Sequence, residues 1–340
     1  MDTTPVTIVA GCAFPEGVRW HNGEVWFVDM GKHVVCAATP DGDVREVVEL
    51  DDIPTAVDFG PDGSTFVSSR SQMKILSIEG GELVTYADLS DLPWDFLNDM
   101  LIDAEGRIYV GLRRTGDMNE IRRRAPDSVA LVRGPRDIEV LDPSLAGTNG
   151  LALLEDGKRL VVAETYAARL TAFDVAADGS LSGRHVFAEK AGMYPDGICA
   201  DGNGAIWVAS LYSDECLRIA EGGGVVERLS VGAPTACAIT GERGEKLVIS
   251  CADPRAVPPA DGTRRAATAL SASLDEGAIV SVAIHPFPIA PRPGAPLSII
   301  PDRRTFASCD EPRQSPGVDA GGVFGTPAVA EQQISAERRL

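Results

Sequence analysis

Four oxygen-bearing side chains stand at equivalent places in this chain: Glu16, Asn98, Asn149 and Asp196 each head a short apolar run. The runs read Glu16-Gly17-Val18-Arg19-Trp20, Asn98-Asp99-Met100-Leu101-Ile102, Asn149-Gly150-Leu151-Ala152-Leu153 and Asp196-Gly197-Ile198-Cys199-Ala200. Two carboxylates that face each other out of water must be protonated, ion-paired or bridged by a cation. No Lys or Arg occupies an equivalent place, so a cation held by Glu16, Asn149 and Asp196, with water completing the shell, satisfies the oxygens. All-oxygen ligation suits Ca²⁺, Mg²⁺ or Mn²⁺ better than a thiophilic ion. The plainer alternative is that each polar head caps its strand or binds a channel water, because Asn-Gly and Asp-Gly are ordinary turn dipeptides.

Convergence requires elements that bring distant residues to one axis, and a repeat supplies them. A polar head, a small residue, an alternating apolar strand, a turn and a second strand recur with heads at Glu16, Thr55, Asn98, Asn149, Asp196 and Thr235. Turns such as Asn22-Gly23, Asp62-Gly63, Glu105-Gly106 and Asp156-Gly157 separate the two strands. A second hairpin follows each copy, for example residues 34–38 and 44–50 around Pro40-Asp41-Gly42. Head-to-head spacings of 39 to 51 residues match a four-stranded propeller blade. The reading is an all-β, six-bladed propeller over residues 1–285, whose first strands line a central channel and set the six heads in a ring. The sixth copy lacks a strand, and Val6-Thr7-Ile8-Val9 has no blade of its own, so the N-terminal strand is expected to close the last blade. A slip of one residue would turn a head away from the channel.

With 31 basic against 50 acidic residues, the formal charge is −19, which opposes binding of nucleic acid and anionic membranes. Small neutral molecules and cations are the expected partners of a monomer or small homo-oligomer. Cysteines 12, 36, 199, 216, 237, 251 and 309 form no Cys-x-x-Cys pair, and several fall in strands, which points to buried thiols. The first residues lack a signal-like apolar segment, and no stretch has transmembrane length, so a cytoplasmic location is expected. Residues 286–340, rich in Pro, Gly and Ser, read as a disordered tail. The basic loop over residues 113–127 is either solvated or a lid over the site. Neither a Gly-x-Ser-x-Gly motif nor a metal-binding histidine spacing occurs.

The motifs Phe14-Pro15-Glu16-Gly17-Val18-Arg19-Trp20, Leu97-Asn98-Asp99-Met100, Thr148-Asn149-Gly150 and Tyr194-Pro195-Asp196-Gly197 resemble the SMP-30/gluconolactonase/luciferin-regenerating-enzyme-like family. The resemblance covers residues 10–284 or so. It implies a six-bladed propeller, one divalent metal on Glu16, Asn149 and Asp196, a substrate contact at Asn98, and hydrolysis of a lactone. Ca²⁺ is the first choice of metal, with Zn²⁺, Mn²⁺ or Mg²⁺ as alternatives. Asp196 is the expected general base and Asp99 a brace or a packing residue. Some sugar-lactonase members carry Arg where this chain has Phe96, so Phe96 as a substrate contact points to a less polar lactone or ester. Trp94 and Asp95 either reshape that wall or pack the loop. The competing functions are esterase or phosphotriesterase action on the same metal, and a non-catalytic ligand-binding propeller with a structural Ca²⁺.

Overall fold

The structure, a computed structural model, describes residues 4–115, 126–141, 144–241, 244–253 and 277–283. The proposed tail, most of the basic loop, His285, Cys309 and the turn residue Arg243 lie outside them. Alternating apolar residues punctuated by Gly-containing turns fold into six four-stranded antiparallel sheets. The innermost strands are Pro15–His21, Pro54–Phe59, Phe96–Ile102, Thr148–Leu154, Pro195–Ala200 and Pro234–Thr240, here numbered as blades 1 to 6. Each lies against the innermost strand of the next blade, and the last lies against the first.

The expected closure is present. Val6–Cys12 pairs antiparallel with Gly277–Ala283 and forms the outer strand of blade 6, so the chain passes directly from the last blade into the first. Ring closure made in this way leaves no bare sheet edge at the junction. The only helices among the described residues are three single 3₁₀ turns, Glu155–Gly157, Thr165–Ala167 and Leu211–Ser213. None of the helices is long and apolar enough to cross a membrane.

The core is divided like the fold. Six clusters of buried apolar side chains each span one pair of neighbouring blades, such as Phe27, Val34 and Cys36 of blade 1 against Ala236 and Val248 of blade 6. Stability therefore comes from the faces between blades, and the axis is left for polar groups. The six described cysteines form no disulfide with one another, and the Cys199 and Cys237 Sγ atoms stand 3.7 Å apart.

Candidate metal and substrate site

In every innermost strand the pairing register shifts by one residue at the head, between Glu16 and Arg19, Pro54 and Ala56, Leu97 and Met100, Thr148 and Leu151, Pro195 and Ile198, and Pro234 and Ala236. An extra residue in one strand re-aims the side chain it carries. The dipeptides Asn149-Gly150 and Asp196-Gly197 are thus part of strands, and their glycines serve the approach of neighbouring blades. A Cβ on Gly150 would stand 2.5 Å from Ile198 N, and one on Gly197 would stand 2.5 Å from Ala236 Cβ.

Four of the six heads meet. Asn98 Nδ2 donates to Asn149 Oδ1 at 2.8 Å and to Thr148 O at 3.2 Å. Asn149 Nδ2 donates to Asp196 Oδ1 and, at 3.2 Å, to Thr165 Oγ1. Glu16 of blade 1 feels the charge of Asp196 of blade 5, and its own Oε2 accepts from Gly17 N at 3.1 Å. Asn149 and Asp196 are 8% and 6% exposed, whereas Glu16 and Asn98 are half-buried, so the group opens on their side. The two threonine heads do something else: Thr55 Oγ1 donates to Asn98 O at 2.9 Å and Thr235 Oγ1 to Pro15 O at 2.6 Å. They tie blade 2 to blade 3 and blade 6 to blade 1, and are stitches between heads.

Burial pushes the Asp196 carboxyl up to about 7, against the pull of Arg113 and the Asn149 hydrogen bond. Burial, followed by repulsion from Asp196 and Asp99, raises Glu16 well above the usual carboxylate range. The pair therefore resists carrying two negative charges, the condition that a bound cation relieves. Among the described residues no three His, Cys, Asp or Glu side chains cluster as a metal site, so the donor set is two carboxylates and an amide. That set is hard and all-oxygen once Asn149 turns its carbonyl oxygen, rather than Nδ2, toward Asp196. The residues present fit a divalent cation in chemistry.

Deeper in the same strands, Arg19 bridges blades 1, 2 and 3. Its Nη2 is 3.3 Å from Asp99 Oδ1 and donates to Met100 O at 2.6 Å, while its Nε is 3.6 Å from Asp58 Oδ2. Asp99 is thereby a brace in a buried ion cluster. The motif around Glu16 contains Arg19, but only the packed channel reveals its partners.

Phe96 has two guanidinium groups over its ring. Phe96 is 6% exposed, with the guanidinium of Arg70 over its ring at 3.7 Å and that of Arg113 at 5.4 Å. Arg113 also lies over the Tyr166 ring at 5.0 Å, donates from Nη2 to Tyr166 Oη at 2.6 Å, and has Nε 3.8 Å from Asp127 Oδ2. Tyr212, edge-on to Tyr194 at 5.2 Å, has its phenol pushed up to about 12 by burial and by the charge of Asp196. Trp94 and Asp95 pack the loop: Asp95 accepts from Thr115 N at 2.7 Å, and Trp94 lies under Arg114 at 5.4 Å. An outer cleft bounded by Leu141, Phe173 and Arg184 contains none of these residues.

Comparison with known proteins agrees with the fold. Regucalcin of Oryctolagus cuniculus is 23% identical over 256 residues, covering 71% of this chain and 86% of that protein; regucalcin of Xenopus laevis is 24% identical over 239 residues, covering 68% and 80%. Among solved structures, a gluconolactonase from Xanthomonas campestris superposes with a TM-score of 0.66 at 17% identity, covering 84% of this chain and 90% of the other. A luciferin-regenerating enzyme gives 0.69 at 18% identity, covering 84% and 98%. A calcium-binding regucalcin from Agrobacterium tumefaciens gives 0.66 at 18% identity, covering 84% and 97%. The profile of the SMP-30/Gluconolactonase/LRE-like region matches residues 14–253, the stretch that holds all six heads. A ring of six bulged inner strands that gathers Glu16, Asn98, Asn149 and Asp196 at one mouth, together with that match, makes this chain a member of the SMP-30/Gluconolactonase/LRE-like family.

Proposed function

We propose that this protein is a hydrolase that opens a lactone or related ester at the mouth formed by Glu16, Asn98, Asn149 and Asp196. The observation that carries the reading is the convergence of two carboxyls from blades 1 and 5, Glu16 half-buried and Asp196 buried, each raised by its surroundings, Asp196 to about 7. A group of that pKa is matched to taking and returning a proton near neutral pH. A gluconolactonase among the structural neighbours lends support at the level of the fold.

In the proposed reaction Asp196 accepts a proton from a water that attacks the lactone carbonyl carbon. The tetrahedral adduct collapses with breakage of the ring C–O bond, and the proton passes to the departing ring oxygen, giving a hydroxy acid. Asn98 donates from Nδ2 to Asn149 Oδ1 and Thr148 O, and once Asn149 turns its carbonyl oxygen toward the cation the Asn98 amide is released from Asn149 to contact the substrate. Glu16, Asn149 and Asp196 would hold one divalent cation; the calcium-binding regucalcin among the structural neighbours favours Ca²⁺. Such an ion, when bound, supplies Lewis acidity toward the carbonyl and lowers the pKa of water.

The test is a matrix of lactones and aryl esters assayed with Ca²⁺, Zn²⁺, Mn²⁺, Mg²⁺ and chelator. Turnover that chelation abolishes is expected. Asp196→Asn and Glu16→Gln should keep the melting transition while losing at least about 100-fold in kcat/KM. Unaltered hydrolysis after chelation, or in Asp196→Asn, removes the proposed centre. Metal-dependent stabilisation without turnover of any member of the panel points instead to a binding protein.

A further inference from the structure

Arg70 stands out against the way this chain treats its other partly buried arginines, Arg113 with Asp127 among them. Arg19 meets Asp58 and Asp99, Arg107 meets Asp103, Arg169 meets Glu164 and Arg218 meets Asp201. In a protein with 50 acidic residues, carboxylate partners are plentiful. Arg70 has none within ion-pair distance among the described residues, and its guanidinium is stacked on Phe96. Its neighbour Arg113 has a side chain 11% exposed and an Nε without a hydrogen-bond partner. Burial and the adjacent charge of Arg113 lower Arg70 to about 10 against the opposing charge of Asp52, a cost that a purely structural Arg70 would avoid by pairing.

Their location gives the pair a use. Arg70 follows the strand Thr65–Ser69, and its carbonyl accepts from Leu97 N at 3.0 Å, one residue before Asn98. Arg113 is the register partner of Phe96, two residues before Asn98, and its charge acts on Asp196. Both forks therefore lie at the head end of blades 2 and 3, beside the carboxyl pair. Planar guanidinium groups with donors to spare select oxyanions by paired hydrogen bonds, and stacking on an aromatic ring fixes their planes.

We propose that Arg70 and Arg113 form an anion subsite beside the candidate centre, and that the substrate is a lactone or ester carrying a second, anionic oxygen group. The proposal rests on the hydrolase reading for the word substrate, and on the arginine geometry alone for the subsite. It differs from the less polar lactone or ester expected from Phe96 and from the small neutral partners expected from the net charge, because the Phe96 ring carries guanidinium groups.

The experiment compares γ-carboxy-γ-butyrolactone with its carboxamide, a pair of equal shape and different charge. The wild type is expected to favour the acid at least about tenfold in kcat/KM, mostly through KM. Arg70→Met, which retains the contact with Phe96, should bring the ratio to about one, and Arg70→Lys should restore part of it. Competition by succinate more than by inorganic phosphate identifies a carboxylate as the natural group, and the reverse order a phosphate. Turnover with a ratio near one in the wild type, or a ratio that Arg70→Met leaves unaltered, overturns the subsite and spares the hydrolase. Should neither compound turn over, calorimetry with α-hydroxyglutarate decides: binding lost in Arg70→Met keeps the subsite without the hydrolase, and absence of binding to the wild type overturns the subsite.

Discussion

Asp196 shows how one carboxyl is set by its surroundings. Burial raises it to about 7, and Glu16 is raised by burial and then by the charges of Asp196 and Asp99. Both folded-state values lie above those of the unfolded chain, so the folded state binds protons more tightly. For these two groups the metal-free fold is unpenalised below about pH 4, and stability is lost as pH rises through about 7. The metal-free protein should therefore melt lower at about pH 8 than at about pH 6, and Asp196→Asn should flatten the difference in a thermal-melt series. Addition of Ca²⁺ at the higher pH should raise the melting temperature of the wild type, since a ligand of the folded state stabilises it. Phe96 teaches the converse lesson: its type suggested an apolar wall, but its neighbours Arg70 and Arg113 decide what the wall presents.

At the scale of the strand, one extra residue does most of the positioning. Ile102 pairs with Ile108 across the Glu105-Gly106 turn, and an unbroken register counted from that pair would set Phe96 opposite Arg114. The shift between Leu97 and Met100 sets it opposite Arg113 instead. Strand and turn positions could be read from alternation and Gly-containing turns; the bulge could not, because no residue type marks it. The bulges also bring blades into backbone contact, where only hydrogen fits. Gly197→Ala would place a methyl 2.5 Å from Ala236 Cβ and 2.6 Å from its Cα. We expect it to destabilise the fold by roughly 2–4 kcal/mol in denaturant titration, with loss of metal response because Asp196 moves with its neighbour. Gly23, with open space around it, tolerates the space but not the conformation, since its φ is +83°.

For the whole molecule, closure and charge act at different ranges. The strand Val6–Cys12 is short and two of its first three residues are exposed, yet it supplies the outer strand of blade 6. Deleting residues 1–12 should expose the edge of Gly277–Ala283, lower the melting temperature by roughly 10 °C or more and promote self-association visible by size-exclusion chromatography. The formal charge of −19 gives a field that repels anions at a distance, and screening confines that field to about a nanometre at physiological salt. Inside that length neighbouring side chains count for more than the net charge, and the proposed anion subsite of Arg70 and Arg113 depends on them.

The repeat, its spacing, the orphan N-terminal strand and the four oxygen-bearing heads were legible along the chain, because side-chain alternation and turn chemistry are local properties that each segment carries by itself. Residues 16, 98, 149 and 196 could be aligned by counting from one head to the next. The division of labour among the heads depended on packing: Thr55 and Thr235 became stitches because a neighbouring carbonyl stands within reach, while Asn149 bridges Asn98 and Asp196. Arg19, Arg70 and Arg113 acquired their settings in the same way, from residues of other strands and blades. The strands are written in the local pattern. Which side chains meet, and how burial and neighbouring charge alter them, is decided only when the six blades close on a shared axis.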